Sequence, residues 1–381
     1  MLTRVRRATR MPIPALATNC PPIPARSSDV ARPYLILSCD GGGVRGLLTA
    51  LILKELDRAR PGLLKRVDLF AGTSAGGLTA LALAGGLGID RVINLYKTKS
   101  AQIFTPYTLD LGVVGRAALK RAADALGSQG GTDDEPGGIK VNDLVAVKYT
   151  NEGLRQAVAA EFPTNPLLTG LPKSVLVTTL QLDDPDRGWR PVVLHNLPPA
   201  DGPGSRTHVV EAAMCTSAAP TFFEPYKHRE LGYCVDGGVF ANNPGGLAVA
   251  TAVRARAKVD DVVLLSVGTG GLIARYPFEK RGLTPRRLGI LPWVAPKASR
   301  RHQIPALPLV AAMFDATSAS DRLVCEGFLR DRYQRVQPGL TELIEMDDAA
   351  AVPRLEAAAR AFVGTADFQA AVQWAKGMAG D

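Results

Sequence analysis

The sequence predicts an α/β fold, with a mostly parallel central sheet flanked by helices on both faces. Three observations carry that expectation. A continuous apolar run from Tyr34 to Cys39 is followed by a glycine-rich turn, Asp40 to Gly46, and then by a helical pattern from Leu47 to Leu56. A second strand-like run, Val67 to Ala71, enters Gly72-Thr73-Ser74-Ala75-Gly76 and leaves as an apolar helix through Ala84. Finally, 381 residues with 46% hydrophobic and 21% charged content can bury the large core that such a layered sheet requires.

The remaining elements follow in order. Helical patterns are expected at Asp90 to Gln102 and Leu111 to Ala125, then a stretch without apolar residues, Gly127 to Gly138, reads as a flexible surface loop. Strands are expected at Ser174 to Leu182, Pro191 to His195, Tyr233 to Val235 and Val262 to Val267, and helices at His208 to Ser217, Pro244 to Lys258 and much of Pro308 to Arg332. Asn242-Asn243-Pro244 reads as an Asn N-cap with Pro at the first helical position. No repeat or composition shift marks an internal boundary. The expected organisation is a basic, mobile tail over residues 1–29 and a single catalytic domain over residues 30–381. The tail carries Arg4, Arg6, Arg7, Arg10 and Arg26, and the two prolines between Met11 and Ala17 make a poor apolar core for a signal peptide.

Charge and cysteine usage narrow the class. Lys plus Arg number 45 against 36 Asp plus Glu, a formal net charge of +9 that favours an anionic partner such as phospholipid or nucleic acid. Aromatics make up only 6%, and no basic run is interleaved with stacking rings, so no nucleic acid polymer is expected. Five widely spaced cysteines without a C-x-x-C pair argue against a disulfide framework and a zinc site, and suit a reducing, cytoplasmic location. The uncharged stretch Ala71 to Ile89 is broken by glycine and threonine, so it reads as a buried strand-turn-helix rather than a membrane span. Within a basic insertion, residues 271–302, the segment Arg275 to Arg301 mixes eight basic residues with Tyr276, Phe278, Leu291 and Trp293 against the single acid Glu279. It suits peripheral membrane contact, and equally a solvated basic loop.

Three short motifs carry chemistry. A nucleophilic serine needs a tight strand-to-helix turn that lifts its hydroxyl out of the sheet, with glycines to relieve crowding, and Ser74 in Gly72 to Gly76 has that setting. The amide of Ala75, opening the next helix, can face a developing oxyanion. Asp40 to Gly46 presents three successive glycines whose N–H groups suit an oxyanion hole or a phosphate cradle. Gly41, Gly43 and Gly46 also satisfy a dinucleotide fingerprint, although no acid follows at the end of the second strand. Asp236, at the end of Tyr233-Cys234-Val235-Asp236-Gly237-Gly238, can present a carboxylate to a cleft. Of the four histidines, only His302 follows Asp236, and it lies among arginines that disfavour an imidazolium. His195, His208, His228 and His302 are each read as structural or surface residues. The economical choice is a dyad in which Asp236 takes the Ser74 proton, its basicity raised by partial burial.

In its motifs the sequence resembles the patatin-like phospholipases and acyl hydrolases: DGGGVRG at Asp40 to Gly46, GTSAG at Gly72 to Gly76 and DGG at Asp236 to Gly238, in that order. CTSAAPTFFEP at Cys215 to Pro225, VFANNP at Val239 to Pro244 and SVGTG at Ser266 to Gly270 reinforce it, with a looser echo at Tyr333 to Pro338. The resemblance implies a Ser74–Asp236 dyad, an oxyanion hole from Gly41, Gly42 and Gly43 and a supporting role for Arg45. It also implies calcium-independent, cofactor-free hydrolysis of carboxylic esters in membrane glycerolipids, of phospholipase A type, releasing fatty acid and lysolipid. Asp40 is read as holding the loop. A dinucleotide-binding oxidoreductase or a non-catalytic membrane module are the alternatives. No residue identifies a small-molecule or protein activator.

Overall fold

The computed structural model describes residues 32–107, 146–186, 188–200, 202–272, 293, 305 and 307–378. The expectations for the 1–29 tail, the 111–125 helix, the 127–138 loop and nearly all of the 271–302 insertion lie outside them.

Ten strands are present among the described residues: β1 (Tyr34–Cys39), β2 (Leu69–Gly72), β3 (Ser174–Asp184), β4 (Gly188–His195), β5 (Tyr226–His228), β6 (Gly232–Asp236), β7 (Val262–Val267), β8 (Gly271–Leu272), β9 (Tyr333–Val336) and β10 (Gly339–Leu340). The helices are α1 (Gly46–Ala59), α2 (Leu63–Arg66), α3 (Ala75–Ala84), α4 (Ile89–Ile103), α5 (Asn151–Glu161), α6 (Val209–Ser217), α7 (Gly238–Ala241), α8 (Gly245–Arg254), α9 (Pro308–Leu329), α10 (Val352–Val363) and α11 (Ala366–Met378). β3, β2, β1, β7 and β9 form a parallel run, while β4, β5 and β6 join antiparallel at the β3 end. β8 and β10 make a separate parallel pair.

β1 carries no charge because both of its faces are covered. Leu35, Leu37 and Cys39 join the core cluster that includes α1 and α3 on one face, and Ile36 joins the cluster that includes Ala248 and Ala252 of α8 on the other. This two-sided burial is why the central strands read as unbroken apolar runs. The Pro244 expectation is off by one residue. Pro244 itself is the N-cap of α8, and Asn243 Oδ1 accepts the Gly245 N–H at 3.1 Å, as well as bonds from the Ser38 and Ser266 hydroxyls. Asn243 therefore ties the helix start to β1 and β7, a demand that local capping rules do not include. Among the described residues no helix is long and apolar enough to cross a membrane.

Candidate active site

Ser74 stands at the turn between β2 and α3 with φ 53° and ψ −124°. A residue with a side chain holds such a conformation at a cost of roughly 1–3 kcal/mol, and only where its surroundings impose it. The Ser74 amide donates to Thr216 Oγ1 at 2.9 Å, and the Thr73 hydroxyl donates to the Ala241 carbonyl at 2.7 Å while touching the Thr178 hydroxyl at 2.7 Å. A β-carbon at Gly76 would lie 2.1 Å from the Cys39 carbonyl oxygen, so α3 can begin against β1 only because that position has no side chain.

Asp236 reaches the same place by a different route. β2 runs parallel to β3 and ends at Gly72 beside Val177, while β6 runs antiparallel to β3 and ends at Asp236 beside Thr179. β4 pairs with both of those stretches of β3 from the opposite edge. β2 and β6 therefore share one edge of β3 and point at each other. Val177 and Thr179 are two residues apart, about 7 Å along a strand, so β3 acts as the ruler that brings positions 74 and 236 together.

The Asp236 side chain is fully buried, and its backbone amide donates to the Ala218 carbonyl at 2.9 Å. Oδ1 accepts the Gly238 N–H at 2.7 Å, whereas Oδ2 has no well-formed hydrogen bond among the described residues. Burial pushes the carboxyl up to about 7, outweighing the lowering influence of the nearby Ser74 hydroxyl and the Gly238 amide. Serine and carboxyl are thus neighbours, although no hydrogen bond between their side chains is well formed.

The glycine loop divides its labour. The Gly41 amide donates to the Asn242 carbonyl at 3.1 Å, and the Gly41 carbonyl accepts the Thr269 hydroxyl at 3.0 Å. The Gly41 amide is therefore engaged in holding the loop. The amides of Gly42 and Gly43 meet no acceptor among the described residues. The Gly42 carbonyl accepts the Arg45 amide at 3.2 Å and Arg45 Nε at 3.4 Å, which directs the Gly43 N–H of the same trans peptide the opposite way. Gly43 has φ +59°, and a β-carbon there would sit 2.1 Å from the Met346 carbonyl oxygen. Burial draws the Arg45 guanidinium downward in pKa, opposed by Asp315, Glu345 and Asp40.

Asp40 is gripped by both Arg335 nitrogens, Nη1 at 2.7 Å and Nη2 at 2.6 Å, and Arg335 Nη1 also reaches Ser266 Oγ at 2.8 Å. Asp40 thus holds the loop, as its position suggested. Arg335 escaped the sequence reading, since its only signal was the weak Tyr333 to Pro338 segment. Its role becomes visible once β9 is placed beside β7, with Arg335 opposite Ser266. Thr216 and Thr178 were missed in the same way. His208 Nδ1 bonds the Asn165 carbonyl at 2.6 Å and His228 Nε2 the Thr207 hydroxyl at 2.9 Å, with His228 Nδ1 taking two backbone amides. His302 is outside the described residues.

Among the described residues, two separate cavities flank the site. Ser74, Ala75 and Gly43 line a small apolar chamber of about 40 Å³ walled by Leu78, Ile103, Phe104 and Leu154. A larger cavity of about 540 Å³ is lined by Asp40, Arg45, Asn242 and Thr269, and does not reach Ser74 or Asp236. Phe222, Phe314 and Met346 line both. Among the described residues no cluster of His, Cys, Asp or Glu could hold a metal ion.

An α/β sheet with a strained serine turn, a buried carboxylate and a glycine loop beside an apolar chamber defines a class of hydrolytic site. The sequence matches the patatin-like phospholipase family over residues 37–249, and the chain belongs to that family. It is a lipid ester hydrolase. It is 30% identical to the cGAMP-activated phospholipase of Vibrio cholerae, over 70% of this chain and 71% of that protein. It is 28% identical to the protein CotR of Bacillus subtilis, over 83% of this chain and 90% of the other. The crystal structure of VipD from Legionella pneumophila aligns over 91% of this chain and 67% of its own, with 12% identity and a TM-score of 0.46.

Proposed function

We propose that the chain is a phospholipase A-type acyl hydrolase of membrane glycerolipids in which Ser74 is the nucleophile and Asp236 the base. The observation that carries this reading is the end-to-end meeting of β2 and β6, which sets a strained serine beside a buried carboxyl held near 7. Asp236 accepts the Ser74 proton as Oγ attacks the ester carbonyl. The amides of Gly42, Gly43 and Ala75 stabilise the tetrahedral oxyanion, the last at the start of α3 where the helix dipole adds to it. Gly41 and Arg45 position that loop rather than donate. Asp236 returns the proton to the departing lysolipid alkoxide. It then draws a proton from water as that water attacks the acyl-enzyme, and passes this proton to Ser74 Oγ when the ester bond breaks and fatty acid leaves. Leu78, Ile103 and Leu154 make the wall beside Ser74 apolar, which favours the acyl side of an ester there and keeps water from the dyad.

The test is mass spectrometry of products from a mixed lipid extract. Wild type is expected to release fatty acid and lysolipid, and Ser74→Ala and Asp236→Asn to lower the rate by about 10³-fold or more while remaining folded. Full activity in either variant refutes the dyad. Products without a lysolipid refute the phospholipase A assignment. Since three relatives are named for activation by cGAMP, the assay is run with and without that nucleotide; an unchanged rate removes it as the activator of this chain.

A further inference from the structure

α9 is 22 residues long and buries only one side. Phe314, Cys325 and Leu329 face the core, and Asp321 reaches the start of α8. Asp315 and Arg322 are exposed on the flank that lines the larger cavity, but the outermost strip is largely apolar. Leu309, Met313, Ala316, Ser320, Leu323 and Gly327 are all exposed and recur every three or four residues, so they form one continuous stripe along the helix, with Val324 and Phe328 beside it. Leu323 is 70% exposed, and Val324 and Phe328 are each 61% exposed. Five of the large hydrophobic side chains that stand exposed on the described residues belong to this one helix: Leu309, Met313, Leu323, Val324 and Phe328. Ser320 is the only polar member of the stripe. Scattered apolar residues on a surface need no explanation, but a continuous ridge calls for a partner.

Two observations say which partner. First, the ridge adjoins the cavity at the site. Ala312 and Ala319 line the 540 Å³ cavity and are themselves exposed, next in sequence to Met313 and Ser320 of the stripe. Phe314 of the same helix forms part of the partition between that cavity and the chamber at Ser74. Whatever covers the ridge therefore lies beside the cavity mouth. Second, the chain reaches α9 through Arg275 to Arg301, with eight basic residues against one acid, in a protein of net charge +9. An apolar ridge on the helix that follows a cationic stretch of sequence matches a bilayer whose surface is anionic and whose interior is apolar. We infer that the outer face of α9 is the surface on which this protein docks to an anionic membrane, setting the cavity mouth against the lipid. The inference rests on the proposed glycerolipid substrate, and its test is built to fail separately from that reading.

The experiment uses the full chain carrying Ser74→Ala, so that binding is read without hydrolysis. Sedimentation with vesicles of equimolar phosphatidylcholine and phosphatidylglycerol is compared with and without Leu323→Asp, Val324→Asp and Phe328→Asp in combination. The triple variant is expected to lower vesicle affinity by at least about tenfold, because three apolar groups lose their burial. In the active background the same triple variant is expected to keep wild-type hydrolysis of a soluble short-chain ester and to lose hydrolysis of vesicle lipid. A second variant, Leu323→Trp, reports directly: its added fluorescence should shift to the blue with anionic vesicles. Unchanged sedimentation or an unshifted tryptophan overturns the docking surface. So does a wild-type dimer that the triple variant splits while vesicle binding persists, since the ridge then joins two copies of the chain. If no ester is cleaved by the active background, the proposed activity fails, while the sedimentation and fluorescence still judge the docking face.

Discussion

Asp236 opposes the stability of the fold that positions it. Its carboxyl stands near 7 because burial penalises the charged form, so the folded state holds the proton more tightly than the unfolded chain does. Its contribution to stability is fully present below the ordinary carboxylate pKa and is lost as pH rises through about 7, at up to about 1.4 kcal/mol per unit. Asp236→Asn is accordingly expected to raise the melting temperature at pH 8 and to change it little near pH 4, even as it removes activity. The proposed mechanism needs the ionised form, so kcat/KM on a soluble ester should climb with pH and level off above about 7. An inflection near 4 instead would mean that the base is a solvated carboxylate rather than Asp236. Arg335 poses the opposite case: its fork holds a buried Asp40 that has lost its water, and Arg335→Met strands that charge. The expected loss is about 3–5 kcal/mol in chemical denaturation, with the glycine loop loosened as well.

At the level of elements, what was legible in the sequence is what local turns dictate. Ser74 and the glycine loop were readable because each lies where an apolar strand breaks into glycine before a helix. Asp236 was readable because its strand ends in Gly237-Gly238. Arg335, Thr216 and Thr178 were not, because they act through register: each matters only once one strand or helix is set beside another, and nothing local fixes that neighbour. The start of α8 shows the same limit. Pro244 and Asn243 suggested a local cap, but the second support comes from α9, where the Asp321 carboxylate accepts the Gly246 N–H at 2.8 Å. Burial raises this carboxyl to about 6. Asp321→Ala leaves the Gly246 amide without its cross-helix acceptor and should cost about 1 kcal/mol, read as a lower urea midpoint with an unchanged slope.

Across the whole molecule, the site lies where two hollow spaces nearly join. The chamber at Ser74 is far smaller than the roughly 300–1,000 Å³ of ordinary ligand pockets, while the neighbouring cavity falls within that range. A long acyl chain can therefore lie beside Ser74 only if the partition of Phe222, Phe314 and Met346 gives way. These three come from separate parts of the chain, and Phe314 belongs to the helix proposed to meet the membrane, so lipid contact and the opening of the chamber would act on one element. Met346 offers the cleanest probe, because it is only partly buried and its backbone carbonyl, rather than its side chain, accepts the Val44 amide at 2.8 Å. Met346→Ala should leave the glycine loop in place and merge the two spaces. Its expected effect is a rise in kcat/KM for long-chain esters relative to short-chain ones, measured across a series of acyl lengths. A ratio that stays at the wild-type value would place the acyl path elsewhere, because only a chain that must pass the partition gains from removing it.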